Sequence, residues 1–409
     1  MAKPSSSNSD WAVSETRKPV AARPALYGAA FNPYCRKNDD QLLATVGGNA
    51  ATIYKFRVKS KKFDQLISYE DENTKEALYV VCWAYLKEGR MALCVGGQLG
   101  VIRVIDTEAG TTARLLHGHG QSLCDIRHHP SLRGIIATSS EDLSAIIWNV
   151  NQHMPLIRLG GYRGHRNQVL SLDWSECGEF VITASMDHQV MCWSLKGFYM
   201  KKIRCSMTGE KFDAHEVLRE DFPKTTDEAV LKKIRLEKTY EDMLMINEPC
   251  AKSNDFHWNY IDCLRVVKGF CFSKSVYQDA IMIWKFGTFE DGVAGLEHVI
   301  KTENTSSFLA QLVIPENNWW FNKFDIDPSF KWLACGIEGS VHIFNIDGEN
   351  IFNKNAVKSV STGRQSKDDQ MRQICFEPYG RFMAAVGDKG HIVRIDLKSA
   401  LDDELNPSQ

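Results

Sequence analysis

Neither sign of charge predominates in this chain: 49 Lys and Arg face 51 Asp and Glu, a formal net charge of −2. A balance this even leaves no electrostatic footprint for nucleic-acid binding, so no direct sequence-specific nucleic-acid partner is expected. None of the twelve cysteines forms a C-x-x-C pair. Many sit inside apolar runs, such as Cys82, Cys94, Cys192 and Cys335, as reduced, buried thiols of an intracellular protein do. The first residues hold no apolar segment of the secretory-leader kind. The longest apolar run, Tyr79 to Leu86, is far too short to span a bilayer, so no membrane partner is expected. Gly-rich phosphate loops and G-x-S-x-G elbows are missing too. No catalytic constellation stands out, and the expectation is a binding protein that is not an enzyme and uses no cofactor or metal.

What the chain does have is apolar material and a repeat. It is 44% hydrophobic and 24% charged, ample for a folded core. The clearest repeat copy runs His117-Gly118-His119, Leu123 to Pro130, Ile135 to Thr138, Asp142, then Ile146-Ile147-Trp148-Asn149. The next runs Gly164-His165, Val169 to Trp174, Val181 to Thr183, Asp187, then Val190 to Trp193. His119 and His165 are 46 residues apart; the Thr, Asp and Trp pairs are each 45 apart. Gly-His in front and Trp behind at this period is the WD40 signature. In such a blade, His in the loop before the inner strand bonds Asp in a tight turn, and Thr and Trp extend the network. Two structural tetrads are therefore expected: His119, Thr138, Asp142, Trp148 and His165, Thr183, Asp187, Trp193.

Five degenerate copies complete the count: Phe31 to Phe56, Tyr79 to Asp106, Tyr260 to Trp284, Trp320 to Asn345 and Met371 to Asp396. Each has a strand, a Gly- or Asp/Asn-rich turn and a β-branched strand. The expected fold is all-β: a seven-bladed WD40 β-propeller over residues 24–397, at about 46 residues per blade. A mostly disordered arm, ending at most in one strand, is expected over 1–23 and an acidic tail over 398–409. One partly helical insertion is expected between blades 4 and 5, about 196–255. Its charged middle, Thr225 to Leu244, is helix-prone and reads either as a solvated excursion or as a docking arm.

The residues most open to a functional reading are aromatic. Tyr79 stands four residues before Trp83, and Trp320 four before Phe324. Both mark the starts of inner strands, which line the channel of a propeller. Phe31 and Phe321 enter at similar levels. Aromatic faces at a channel mouth suit a quaternary ammonium, whose diffuse charge demands no hydrogen bond, at about 0.5–2 kcal/mol per ring. The alternative is ordinary core packing.

The chain resembles the embryonic ectoderm development / extra sex combs family, a WD40 subunit of Polycomb repressive complex 2. The carrying segments are Leu42 to Gly48 (LLATVGG), Tyr79 to Trp83 (YVVCW), Gly100 to Ile105 (GVIRVI), Gly160 to Leu170 (GGYRGHRNQVL), Met186-Asp187-His188, Asn259 to Cys263, Ser273-Lys274-Ser275 and Met371-Arg372-Gln373. The resemblance implies a nuclear, non-catalytic subunit that holds an enhancer-of-zeste-type histone methyltransferase beside other subunits of the complex. It also implies reading of trimethyl-lysine on a histone H3 tail, which stimulates repressive methylation. It maps the cage onto Phe31, Tyr79, Trp320 and Phe321, with Lys323 and Arg372 at the rim. Phe321 stands where the better-known members carry Tyr, and Lys323 where they carry Arg. Two other readings stay open: a scaffold that does not read methyl-lysine, and a substrate receptor of a ubiquitin ligase. Such receptors often carry an Arg two residues after a Trp-Asp pair; here Trp148-Asn149 is followed by Val150-Asn151.

Overall fold

A computed structural model describes residues 11–17, 24–213, 243–288, 305–315, 318–362 and 370–397. The strands form seven antiparallel sheets, each of four strands in simple up-and-down order, one with a fifth added. This is the seven-bladed β-propeller expected. Contacts divide the chain into two compact units, Met1–Glu70 with Ala310–Gln409, and Asp71–Leu309.

The first unit holds blades 1, 6 and 7. Blade 1 is Gly28–Phe31, Gln41–Gly47, Ala50–Phe56 and Phe63–Glu70. Blade 6 is Asp325–Ile326, Trp332–Ile337, Ser340–Asn345 and Lys358–Ser361. Blade 7 is Met371–Phe376, Phe382–Gly387, Ile392–Leu397 and, as its outer strand, Trp11–Arg17. The arm expected over 1–23 thus contributes a strand that pairs antiparallel with Ile392–Leu397. Trp11 drives it: the indole is fully buried, edge-on to Trp332 and Phe376. The rest of that arm and the 398–409 tail lie outside the described residues.

The second unit holds blades 2, 3 and 4 and the inner strands of blade 5. Blade 3 (Leu123–His128, Ile135–Ser140, Ala145–Asn149, Ile157–Leu159) and blade 4 (Val169–Trp174, Phe180–Ser185, Val190–Ser194, Ala251–Ser253) carry the regular repeats. Ile135–Ser140 and Phe180–Ser185 are buried at every position. Both faces of such a strand are covered, which is why it reads as a continuous run instead of an alternation. Outer strands read differently: Thr111–Leu116, at the edge of blade 2, is mostly exposed.

The insertion leaves after the third strand of blade 4 and returns to supply its fourth, so it opens inside that blade. It begins with an eleven-residue helix, Phe198–Thr208, whose Phe198, Tyr199, Met200 and Ile203 join the core of blades 3 and 4. On its way back, Leu244–Ile246 adds to blade 3 as a parallel fifth strand. The helix expected over Thr225 to Leu244 falls almost wholly outside the described residues; Leu244 itself is strand. Among the described residues no helix is long and apolar enough to cross a membrane.

One irregularity recurs. The inner strands of blades 2, 3, 4, 5 and 7 each carry an extra residue near their start: Tyr79, Cys124, Leu170, Asp262 and Arg372. A bulge of this kind takes one side chain off the ladder and re-aims it. Two of the five, Tyr79 and Arg372, are among the residues singled out from sequence.

Candidate functional site

The regular blades hold the two expected networks. In blade 3, His119 Nδ1 lies 2.9 Å from Asp142, His119 Nε2 2.8 Å from Thr138 Oγ1, and Trp148 Nε1 donates to that hydroxyl at 2.8 Å. In blade 4, His165 stands 3.0 Å from Asp187 and 2.7 Å from Thr183, to which Trp193 donates at 2.9 Å. An indole N–H feeds a hydroxyl, the hydroxyl donates to Nε2, and Nδ1–H donates to the carboxylate. That relay needs a neutral imidazole, and burial does lower the pKa of His119. Burial by itself would raise the pKa of Asp142; hydrogen bonds from His119, Ser144 and Gly120 outweigh it and hold the carboxyl well below the usual range.

A third network goes beyond the two expected from sequence. In blade 5, His257 bonds Gln278 and Ser273, each at 2.6 Å, and Trp284 donates to Ser273 at 2.9 Å. Ser replaces Thr, and Gln replaces Asp. The spacing between them is five residues where the regular blades have four. The one signal of it in the sequence is Trp284, six residues after Gln278 as Trp148 is after Asp142. With no carboxylate partner among the described residues, burial lowers the His257 pKa to about 4.

The candidate binding residues of the first unit lie elsewhere. Segment 24–27 runs tight against Gly47, where a Cβ would stand 2.2 Å from the Ala25 carbonyl oxygen. Backbone hydrogen bonds fix its end: Leu26 N–H to Gly387 at 3.1 Å and Tyr27 N–H to Val46 at 3.0 Å. Tyr27 then meets Phe321 edge-on, centroids 6.2 Å apart at 80°, and Trp320 meets Phe321 in the same way at 6.2 Å and 79°. Three rings thus make a corner with Phe321 at its apex. Trp320 is 46% exposed, so the corner opens to solvent.

Phe321 has φ 66°, a left-handed backbone that an aromatic residue rarely adopts. Arg372 over-determines that conformation. Its guanidinium is bidentate to Asp388, at 2.5 and 2.7 Å, and donates to the Trp320 carbonyl at 2.8 Å. It also lies 5.7 Å over the Tyr27 ring and 5.9 Å over Trp319. The neighbouring Gln373 donates to the Ala29 carbonyl at 2.8 Å, and Lys323 N–H donates to the Arg372 carbonyl at 2.8 Å. Lys323, itself buried, holds its ammonium 5.1 Å from the Phe321 centroid.

Phe31 does not belong to this corner. It ends its strand and is buried edge-on against Phe56 and Phe382, at 5.2 and 5.6 Å, so it offers no free face. The error is one of register. Phe31 is the buried strand aromatic, as Trp83 and Phe324 are in blades 2 and 6. Counting four residues back from Phe31, as for Tyr79 and Trp320, gives Tyr27. Tyr79 lies in the other unit, half-buried against the blade 2 core. Among the described residues no cluster of His, Cys, Asp or Glu could hold a metal ion.

The seven sheets and the His–Thr–Asp–Trp networks define a WD40 β-propeller, and the model of the WD domain, G-beta repeat, matches residues 110–149 and 157–194. The Polycomb protein esc of Drosophila melanogaster is 30% identical over 83% of this chain and 75% of its own length. The Polycomb protein mes-6 of Caenorhabditis elegans is 29% identical over 92% of this chain and 89% of its own. The chain belongs to this Polycomb family of non-catalytic WD40 proteins. A chain in the crystal structure of the Chaetomium thermophilum polycomb repressive complex 2 has the same fold, with TM-score 0.72, 15% identity, and coverage of 94% of this chain and 97% of that one. So does a chain in the structure of ctPRC2 in complex with H3K27me3 and H3K27M, at TM-score 0.69, 15% identity, and coverage of 91% and 94%.

Proposed function

We propose that this chain is the nuclear WD40 subunit of a Polycomb repressive complex 2-type assembly. In this reading it holds an enhancer-of-zeste-type methyltransferase, alongside other subunits, and reads trimethyl-lysine on a histone H3 tail with the Tyr27–Phe321–Trp320 corner. The observation that carries the reading is the corner itself: three rings at near-right angles, one wall open to solvent, its apex held in a rare backbone conformation by Arg372. Two perpendicular ring faces stabilise a trimethylammonium by about 0.5–2 kcal/mol each. Lys323 and Arg372 act at the rim.

The test is a titration of trimethyl-lysine histone H3 peptides against wild type and Trp320→Ala. A preference for the methylated form that Trp320→Ala removes supports reading. Equal affinity for methylated and unmodified peptide sinks it. One observation favours the second reading, a scaffold that does not read: Lys323 and Arg372 already lie over the Phe321 and Tyr27 rings. In that case the chain assembles normally with the methyltransferase, and methylated peptide leaves the methylation rate unchanged.

A further inference from the structure

A second candidate site lies in the other unit, on blade 4. A cavity of about 480 Å³ is lined by Tyr162, Arg163, Arg166, Met191, Glu248 and Lys252, among others. Two chain segments wall it above the third strand of blade 4, which contributes Met191. One is the connection from blade 3 to blade 4, 160–168. The other is the end of the insertion, 247–252, which docks on the first through the Gly160 N–H to Ile246 carbonyl bond at 3.0 Å. Gly161 lies beside the Asn247 side chain with φ 113°, a conformation that other residues rarely adopt.

The charges are unequal. Arg163 is neutralised by an ion pair with Glu248 and lies 5.4 Å over the Tyr162 ring. Arg166 and Lys252 have no carboxylate partner among the described residues. The guanidinium of Arg166 donates to the Tyr162 carbonyl at 3.4 Å. Its backbone is fixed, because Arg166 N–H donates to Asp187 of the blade 4 tetrad at 2.8 Å. Two unpaired cations therefore share one cavity, and the repeat network anchors one of them. Tyr162, 69% exposed, stands beside them as an aromatic wall, with Met191 and Pro249 as apolar lining.

The geometry points to a binding site for a phosphorylated serine or threonine in a peptide. A phosphomonoester carries about −1.5 to −2 at neutral pH, which matches two unpaired cations where a lone carboxylate would match one. Arg166 supplies a planar fork and Lys252 a point charge, the two usual partners of phosphate. The cavity suits a phosphorylated side chain with one neighbour, and Tyr162 and Met191 offer that neighbour an apolar surface. The site shares no residue with the aromatic corner of the other unit.

The test is fluorescence anisotropy with a degenerate library of nine-residue phosphoserine peptides with uncharged flanks, at about 0.15 M salt. The same library without phosphate, and with Glu in its place, are the controls. Binding at least about tenfold tighter than either control is expected. It falls by at least about tenfold in the Arg166→Gln/Lys252→Gln double variant, with unchanged melting temperature, and stays intact in Lys59→Gln, outside the cavity. Equal binding of the unphosphorylated library overturns the proposal, as does an equal loss in Lys59→Gln. Tighter binding of a single-stranded oligonucleotide of matched length assigns the charge to another class of partner and overturns it too. If the double variant melts early, Arg166→Lys, which keeps charge and loses the fork, replaces it with the same expected order.

Discussion

Blades 3 to 5 and blades 6, 7 and 1 solve the same problem with different chemistry. In the first group each blade is locked by a relay of neutral or charge-assisted hydrogen bonds from Trp to a hydroxyl to His to an acceptor. In the second no such relay occurs among the described residues, and blade 7 carries buried Arg–carboxylate pairs. Arg394 is fully buried, bonds Asp396 at 2.8 Å and lies 4.1 Å over Phe382. Arg381 pairs with Glu377 at 2.7 Å. A relay ties the loop before the inner strand to the turn beyond it and so commits that loop to stability. The irregular blades leave Trp319 and Trp320 outside and hold Phe321 in a strained conformation. Where the relay is missing, the loop has room for an aromatic corner.

Among the largest expected effects is the breaking of a relay. His165→Ala takes the ring from between the buried Thr183 hydroxyl and Asp187, which keeps its bonds from the Arg166 and Gln189 N–H groups, and costs about 3 kcal/mol. Thermal or urea unfolding measures it, while trimethyl-lysine peptide affinity at low temperature stays unchanged. Loss of peptide binding in the folded variant would break the division of labour between the two groups.

Acid comes next. The buried His257 has a folded pKa of about 4, against about 6.5 unfolded. The unfolded state therefore binds the extra proton first. Stability from this group is fully present above pH 6.5, falls as pH drops from about 6.5 to 4, and changes no further below. The loss develops to about 3 kcal/mol. Urea midpoints between pH 7 and 4 measure it, and His257→Gln is expected to reduce the slope, with His128 and His129, also lowered to about 4 by burial, supplying the remainder. An unchanged slope would remove blade 5 from the comparison.

Tyr27→Ala and Trp320→Ala are smaller in energy and opposite in kind. Each removes one ring wall, weakening trimethyl-lysine peptide binding by about 1–2 kcal/mol, roughly five- to thirtyfold. Trp320→Ala shifts the melting temperature little, because the indole is half exposed. Phe31→Ala gives the converse, a large loss of stability of about 3 kcal/mol from the core. The pair of measurements decides between the two registers directly. The smallest effect is expected from Lys323→Met. Removing a resident cation 5.1 Å from the Phe321 ring relieves repulsion of the ligand. Peptide affinity rises by a few-fold, about 0.5–1 kcal/mol. Weaker binding would instead make Lys323 a support of the corner.

The fold and two relays were legible in the sequence because His, Thr, Asp and Trp rarely recur at fixed offsets unless a blade requires them. The third relay was hidden by chemistry: Ser273 and Gln278 do the same hydrogen bonding but are common residues at a shifted spacing. Tyr27 was hidden by register: it stands four residues before the buried Phe31, as Tyr79 stands before Trp83, but just ahead of a strand only four residues long. One strand at the end of the 1–23 arm was within the expectation, but its place was blurred by polar neighbours; the buried indole of Trp11 fixes it at Trp11–Arg17. The helix at Phe198–Thr208 has no side-chain cap and its Gly197 precedes it with φ 65°, so the usual start signal was missing.

The pairing of Trp11–Arg17 with Ile392–Leu397 also has a consequence in time. Ser14 bonds Asp396 across 382 residues of chain. During synthesis at about 5–20 residues per second, the early strand waits roughly 20–80 s for its partner to emerge. For that interval Trp11 has no core to enter, and the last blade has no outer edge. Blade 7 is therefore expected to form last on the ribosome. A bulky group fused just ahead of Trp11 is expected to delay its closure more than one placed after Leu397, since only the early strand must hold itself available while the rest of the protein is made.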